Sequence, residues 1–115
     1  KIKHLKESLS TKVVNLINQA DMVETYFILK CSRLFLGSDS SNMHLSSAAG
    51  IPTIGLFGPT NDKVYGPKGK HNLTIRTEKS YKDFINDKNF TLKDSPSYLK
   101  DIKVSLVLNE IKNII

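Results

Sequence analysis

Short apolar runs alternate with helix-like segments along this chain. Four of these runs have the length of buried strands and end at polar or turn-forming residues. They cover residues 12–17, 34–37, 53–57 and, more weakly, 73–76. Strands of this kind, separated by helices, predict an α/β domain with a parallel sheet and right-handed crossovers.

Helical spacing of apolar residues marks four further segments. They are the first residues (Ile2, Leu5 and Leu9), residues 21–30, residues 42–49 and the tail from about Ser105 onward. Asp21 is placed to cap the second of these helices, and Val23, Phe27 and Ile28 would form its apolar face. Residues 59–69 predict a surface loop near a ligand, and residues 78–97 predict irregular structure or a short helix.

Length and composition limit what the chain can be. It has 115 residues, enough for one domain with an ordinary core. Its formal net charge of +6 is spread along the chain, which argues against a nucleic-acid-binding arm. Cys31 is the single cysteine, so no intrachain disulfide can form, and no apolar run approaches the roughly 18 residues of a membrane span. These features favour a soluble, cytoplasmic protein.

Candidate chemistry lies where the strand 34–37 gives way to a helix. Ser40 and Ser41 offer hydroxyls and main-chain donors at the helix start, and Asn42 adds an amide. Because a helix start carries unpaired N–H groups and partial positive charge, a diphosphate binds there readily. His44, one turn further on, can reach a phosphate oxygen or a leaving group. We therefore predict an anion site.

Two further residues extend this candidate site. Asp39 is acidic beside a phosphate site, so its expected role is to accept hydrogen bonds from sugar hydroxyls; the alternative is that it caps the helix. Thr60 follows the strand 53–57 at the same carboxyl edge of the sheet, where ligands of open α/β sheets bind. The remaining apolar positions of the helix are expected in the core: Met43, Leu45, Ala48 and Ala49.

The residues from Asp39 to His44, followed by Phe57-Gly58-Pro59-Thr60, resemble a known hallmark. It is Asp-Ser/Thr-Gly-x-x-His followed by Phe-Gly-Pro-Thr, and it belongs to the C-terminal, nucleotide-sugar-binding domain of the heptosyltransferases, glycosyltransferase family 9. The resemblance covers roughly residues 12–77. Ser41 stands where the family usually has Gly, and Asn42 replaces a common Pro.

The resemblance implies a Rossmann-like half domain, with about four of the six strands of the family's C-terminal domain. Residues 1–115 would then be a single donor-binding fragment whose N-terminal acceptor domain is absent. The family's general base lies in that domain, so the fragment would contain no catalytic residue and would be inactive alone. The implied donor site consists of Asp39, Ser40, Ser41, Asn42, His44 and Thr60, with no metal and no cofactor.

The parent protein would be a bacterial, inverting glycosyltransferase. Its donor would be a nucleotide diphosphate sugar, with ADP-heptose as the family default, and its acceptor a lipopolysaccharide-core or related glycolipid. That reaction would take place at the cytoplasmic face of the inner membrane, through peripheral contact with it. The partners expected are thus the donor and, through the missing domain, the acceptor, but no nucleic acid.

Two alternatives remain open at this point. The chain could be a non-catalytic remnant or a self-associating interaction module with the same fold. A generic Rossmann cofactor domain is disfavoured because no G-x-G-x-x-G follows a predicted strand. In the doubly wound strand order, two absent strands would lie beside residues 12–17, which predicts either a homodimer or an altered sheet edge.

Overall fold

A computed structural model describes residues 12–91 and 98–115. Five helices and three strands lie in these ranges, in the order α1 (Met22–Lys30), β1 (Phe35–Ser38), α2 (Ser41–Ala48), β2 (Thr53–Phe57), α3 (Asp62–Tyr65), β3 (Asn72–Arg76), α4 (Tyr81–Asn86) and α5 (Val104–Ile114). Within the same ranges, no helix is long and apolar enough to cross a membrane. The helix predicted around Ile2, Leu5 and Leu9 lies outside the described residues.

The three strands form one parallel sheet in the order β1-β2-β3. Phe35 pairs with Thr53, and Thr53 pairs in turn with Asn72, so all three strands run out toward the same edge. Since parallel neighbours need a crossover between them, α2 connects β1 to β2, and the segment containing α3 connects β2 to β3. The predicted α/β class with a parallel, Rossmann-like sheet is confirmed.

The prediction of a strand at residues 12–17 is wrong. Residues 12–16 belong to no strand, and a turn begins at Ile17, where the N–H of Gln19 donates to the Leu16 carbonyl at 3.1 Å. A parallel strand exists only where a neighbour accepts and donates its backbone hydrogen bonds, and a short apolar run alone does not supply that neighbour. The described sheet therefore has three strands, with β1 and β3 at its two edges; the predicted homodimer stays a prediction.

One face of the sheet packs against the C-terminal helix. Ile54 on β2, Ile75 on β3 and Val107 on α5 are buried against one another. Six partly buried residues surround them: Leu34, Leu56, Leu73, Ile102, Ile111 and Ile114. The broad apolar stripe of the tail thus forms a packed helix, as predicted.

The opposite face of β2 packs against α2. Met43 and Phe57 are fully buried there, and the Ser46 and Thr53 hydroxyls join helix to strand by a hydrogen bond of 2.9 Å. Gly55 lies at this contact between β2 and α2, and a Cβ at this position would stand only 2.6 Å from the Met43 sulfur. Glycine therefore lets α2 approach the central strand closely.

Helix α1 begins as predicted but packs less than predicted. Asp21 accepts from the Glu24 N–H at 2.8 Å, and the Glu24 carboxylate accepts from the Asp21 N–H, which completes a capping box. However, α1 has no buried residue, and its expected apolar face stays largely exposed, with Phe27 58% accessible. In α2, Met43 is core as expected, whereas Ala48 is exposed because it faces the open space between α1 and α2.

Candidate functional site

The turn between β1 and α2 brings polar groups to the carboxyl edge of the sheet. Ser40 is the N-cap of α2, and its carbonyl accepts from the N–H groups of Met43 and His44 at 3.1 and 3.3 Å. The N–H groups of Ser41 and Asn42 precede this ladder, so they have no carbonyl partner within the helix. The Ser40 side chain makes no capping hydrogen bond. N–H groups of this kind, together with the partial positive charge of a helix start, are the general features by which helices bind anions.

Asp39 and His44 face each other across this helix start. The His44 Nε2 lies 3.8 Å from the Asp39 Oδ1, too far for a direct hydrogen bond but close enough for an ion pair with an imidazolium. The His44 side chain is 53% exposed, and the Asp39 side chain is 23% exposed. Because Ser40 occupies the N-cap position, Asp39 is not the helix cap. Its carboxylate remains available to a ligand and to His44.

The far end of α2 is fixed by hydrogen bonds. Gly50 has a φ of 79° and its N–H donates to the Ser47 carbonyl, while the Ile51 N–H donates to the Ser46 carbonyl. This pair of bonds is a Schellman motif, which ends the helix at a residue with a left-handed backbone. The Ser47 hydroxyl also donates to the Lys68 carbonyl at 2.6 Å. The C-terminal end of the helix that carries the candidate site is therefore held in place by these hydrogen bonds.

An open cleft of about 970 Å³ lies between α1 and α2. Ser41, Asn42 and His44 line it on the α2 side. The other lining residues, mostly apolar, come from α1 and the turn before it, and from the rest of α2: Leu16, Ile17, Asn18, Ala20, Asp21, Met22, Thr25, Ile28, Leu29, Leu45 and Ala48. Apolar walls with a few convergent polar groups are typical of small-molecule sites, and the volume lies in their usual range of about 300–1,000 Å³.

The structure therefore brings together only part of the predicted site. Ser41, Asn42 and His44 share the cleft, and Asp39 and Ser40 form the bend that precedes it. Thr60 is exposed on the neighbouring loop after β2 and does not line the cleft. Among residues 12–91 and 98–115, no three His, Cys, Asp or Glu side chains come together as metal ligands.

Sequence reasoning missed the second wall of the cleft and one basic residue. The wall runs from Leu16 to Leu29, and its apolar residues were interpreted as a strand and a packed helix face. The basic residue is Arg76 at the end of β3, whose guanidinium reaches back over the end of β2. It donates to the carbonyls of Gly58 and Thr60 at 3.1 and 3.0 Å, and to the Asp62 carboxylate at 3.2 Å.

Comparisons with curated proteins and with solved structures gave no significant match. The family model of glycosyltransferase family 9 (heptosyltransferase) matches residues 1–93. That match spans most of the 115 residues and includes β1, α2 and β2, the elements that build the candidate site. The chain belongs to glycosyltransferase family 9.

Proposed function

We propose that this chain is the donor-binding part of an inverting glycosyltransferase. The enzyme would transfer a sugar from a nucleotide diphosphate sugar to a lipopolysaccharide-core or related glycan. One observation supports this proposal above the others: α2 starts at the carboxyl end of β1 and presents Ser41, Asn42 and His44 to a ligand-sized cleft. Family membership makes a nucleotide sugar the ligand class to expect there.

The diphosphate would bind at the start of α2. The Ser41 and Asn42 N–H groups and the partial positive charge of the helix end favour a doubly charged group. The Ser40 and Ser41 hydroxyls add donors that can rotate to suit a phosphate oxygen. The apolar wall from α1 would take the flat face of the nucleobase, since apolar walls bury most of a ligand's surface while polar groups fix its orientation.

Asp39 and His44 would act on the two ends of the breaking bond. The Asp39 carboxylate accepts hydrogen bonds only, so it suits sugar hydroxyls. His44 as an imidazolium would stabilise charge developing on the departing diphosphate. Both roles serve a reaction in which the electron pair leaves with the nucleotide.

In the proposed reaction, an acceptor hydroxyl attacks the anomeric carbon from the face opposite the diphosphate. The bond from the anomeric carbon to the diphosphate oxygen breaks, and the acceptor proton passes to a general base. Inversion follows because the attacking and leaving oxygens lie on opposite faces. In this reaction, the candidate site supplies donor binding and leaving-group stabilisation.

Donor and acceptor identity rest on the family rather than on the site. Heptose carried by ADP is the family default, and a bacterial glycolipid at the cytoplasmic face of the inner membrane is the corresponding acceptor. Ser41, where the family usually has Gly, places a Cβ beside the diphosphate and narrows the space for it. We therefore propose the nucleotide-sugar class and keep heptose as the default sugar.

A second candidate function is a non-catalytic, self-associating module. The exposed apolar side chains of α1 favour it, since Met22, Val23 and Phe27 are all more than half accessible. On this alternative, the same surface would bind a second copy and the cleft would stay empty of nucleotide. The two functions differ in whether the chain binds a nucleoside diphosphate.

Calorimetric titration with ADP and ADP-heptose tests the proposed function. We expect saturable binding that Asp39→Ala and His44→Ala each weaken about tenfold or more, because each removes a charge-assisted contact. His71→Ala is the matched control, since this exposed histidine lies outside the cleft and should leave affinity unchanged. Absence of binding at millimolar ligand, together with dimerisation, would favour the self-associating module instead.

A further inference from the structure

The guanidinium of Arg76 is the most heavily engaged charged group at the carboxyl edge of the described sheet. Its Nη1 donates to the carbonyls of Gly58 and Thr60 and to the Asp62 carboxylate, and its Nη2 donates to the same two carbonyls. The side chain is 18% exposed, and that of its ion-pair partner Asp62 is 21% exposed. A partly buried, charge-assisted fork of this kind is stronger than a surface ion pair.

These contacts fix the loop that follows β2. Gly58 and Thr60 are held from one side by a single side chain, and Asp62, the first residue of α3, is held by the same group. The Thr77 N–H also donates to the Phe57 carbonyl at 3.0 Å, which extends the pairing between β2 and β3 into the loop. Residues 58–62 are therefore tied to the end of β3 by the Arg76 side chain and by this backbone hydrogen bond.

That loop lies beside the candidate donor site. Ser38 at the end of β1 pairs with Leu56 on β2, so the bend at Asp39 and Ser40 is the neighbour of Phe57 and Gly58. Because both strands are parallel, the two loops leave the sheet at the same edge. Residues 58–62 do not line the cleft itself, but a diphosphate at the start of α2 that extends along this edge of the sheet would reach the loop that carries Thr60.

We propose that Arg76 is a positioning residue of the donor site, which acts by holding residues 58–62 in the conformation that receives the nucleotide diphosphate. This inference rests on the proposed function. In this proposal, the Arg76 guanidinium donates its hydrogen bonds to the loop and does not contact the ligand. Its contribution is preorganisation, since a loop that is already ordered loses less conformational entropy on binding.

Arginine fits this task better than lysine. The guanidinium is planar and presents both Nη groups to the two carbonyls at once, whereas an ammonium is a compact point charge. Arg76→Lys should therefore hold the loop in part, and Arg76→Gln should release it. A Gln side chain is shorter and uncharged, and it leaves the Asp62 carboxylate without its partner.

The experiment measures ADP affinity by calorimetry in the wild-type chain, Arg76→Gln and Arg76→Lys, well below each thermal midpoint. Arg33→Gln is the matched control, because Arg33 is exposed and lies outside this loop and the cleft. We expect Arg76→Gln to raise the Kd about tenfold, Arg76→Lys to fall between it and the wild type, and Arg33→Gln to leave the Kd unchanged.

Amide hydrogen exchange supplies the second measurement. Exchange within residues 58–62 should quicken in Arg76→Gln while α5 keeps its protection, which separates local release from global destabilisation. Wild-type affinity in a folded Arg76→Gln variant would overturn the inference. If Arg76→Gln does not fold, the comparison of Arg76→Lys with the wild type decides in the same way. If the wild-type chain does not bind ADP, the proposed function is overturned, and this inference with it.

Discussion

Gly55→Ala should displace the helix that carries the candidate site. The Cβ that this substitution adds would lie 2.6 Å from the Met43 sulfur and 2.8 Å from Cε2 of Phe57. Both neighbours are fully buried, so neither can swing into solvent to make room. Since protein interiors are packed as densely as organic crystals, the added methyl group must displace α2 or the side chains of Met43 and Phe57.

Overpacking by one methyl group in such a position costs about 1–3 kcal/mol of unfolding free energy. Met43→Ala removes the sulfur that the new methyl group would meet, and on its own it costs about 2–5 kcal/mol. In the double variant the two changes should compensate, with a coupling energy of about 0.5–3 kcal/mol. The structure thus predicts both the sign and the size of this coupling energy: the double variant should lose less stability than the sum of the two single losses.

Urea unfolding of the wild type, both single variants and the double variant measures this coupling. Gly50→Ala is the control: its φ of +79° makes any side chain strained, yet a Cβ there has no heavy atom within 4 Å. It should lose stability through backbone strain alone and combine additively with Met43→Ala. Additive losses for Gly55→Ala with Met43→Ala would refute the close packing of α2 on β2.

Three further predictions concern the described fold. Hydrogen bonds from the Ser80 hydroxyl and then its backbone N–H hold the pKa of Asp83 below its ordinary value of 3.8. The stability that this carboxylate adds to α4 is therefore present above pH 3.8 and is lost as the pH falls through the lowered pKa of Asp83. An NMR titration of Asp83 with a midpoint at the ordinary value would contradict this prediction. Asp21→Ala should cost about 1 kcal/mol through loss of the helix cap, measured by urea unfolding, and an unchanged midpoint would show that the cap adds nothing. Ile54→Ala should cost about 2–5 kcal/mol, while the exposed Ile85→Ala should stay within about 0.5 kcal/mol; equal losses would place the core elsewhere.

The sequence predicted those elements whose signals are local. Residues 53–57 form a strand with the predicted bounds because an apolar run between turn-forming residues has little alternative in a small domain. Asp21 caps its helix because the capping box needs only residues that are close in sequence. The helix predicted at residues 42–49 runs over Ser41–Ala48, one residue earlier, and its prediction likewise depended on a strand end followed by small polar residues.

Other features depend on distant residues and could not be predicted. Residues 12–17 have the apolar content of a buried strand, but no strand of the described sheet pairs with them. The exposed face of α1 looked like a core face because apolar periodicity does not say what lies opposite. Arg76 crosses from the end of β3 to the loop after β2, and only the three-dimensional register reveals that reach.

The central claim is that a nucleoside diphosphate binds at the start of α2. Amide chemical shifts of the isotopically labelled chain, recorded while ADP is added, test it most directly. We expect saturable shift changes concentrated at residues 39–44, with smaller changes along the facing wall of the cleft between Leu16 and Leu29. Absence of changes at residues 39–44 at saturating ADP, or changes confined to another part of the chain, would contradict it.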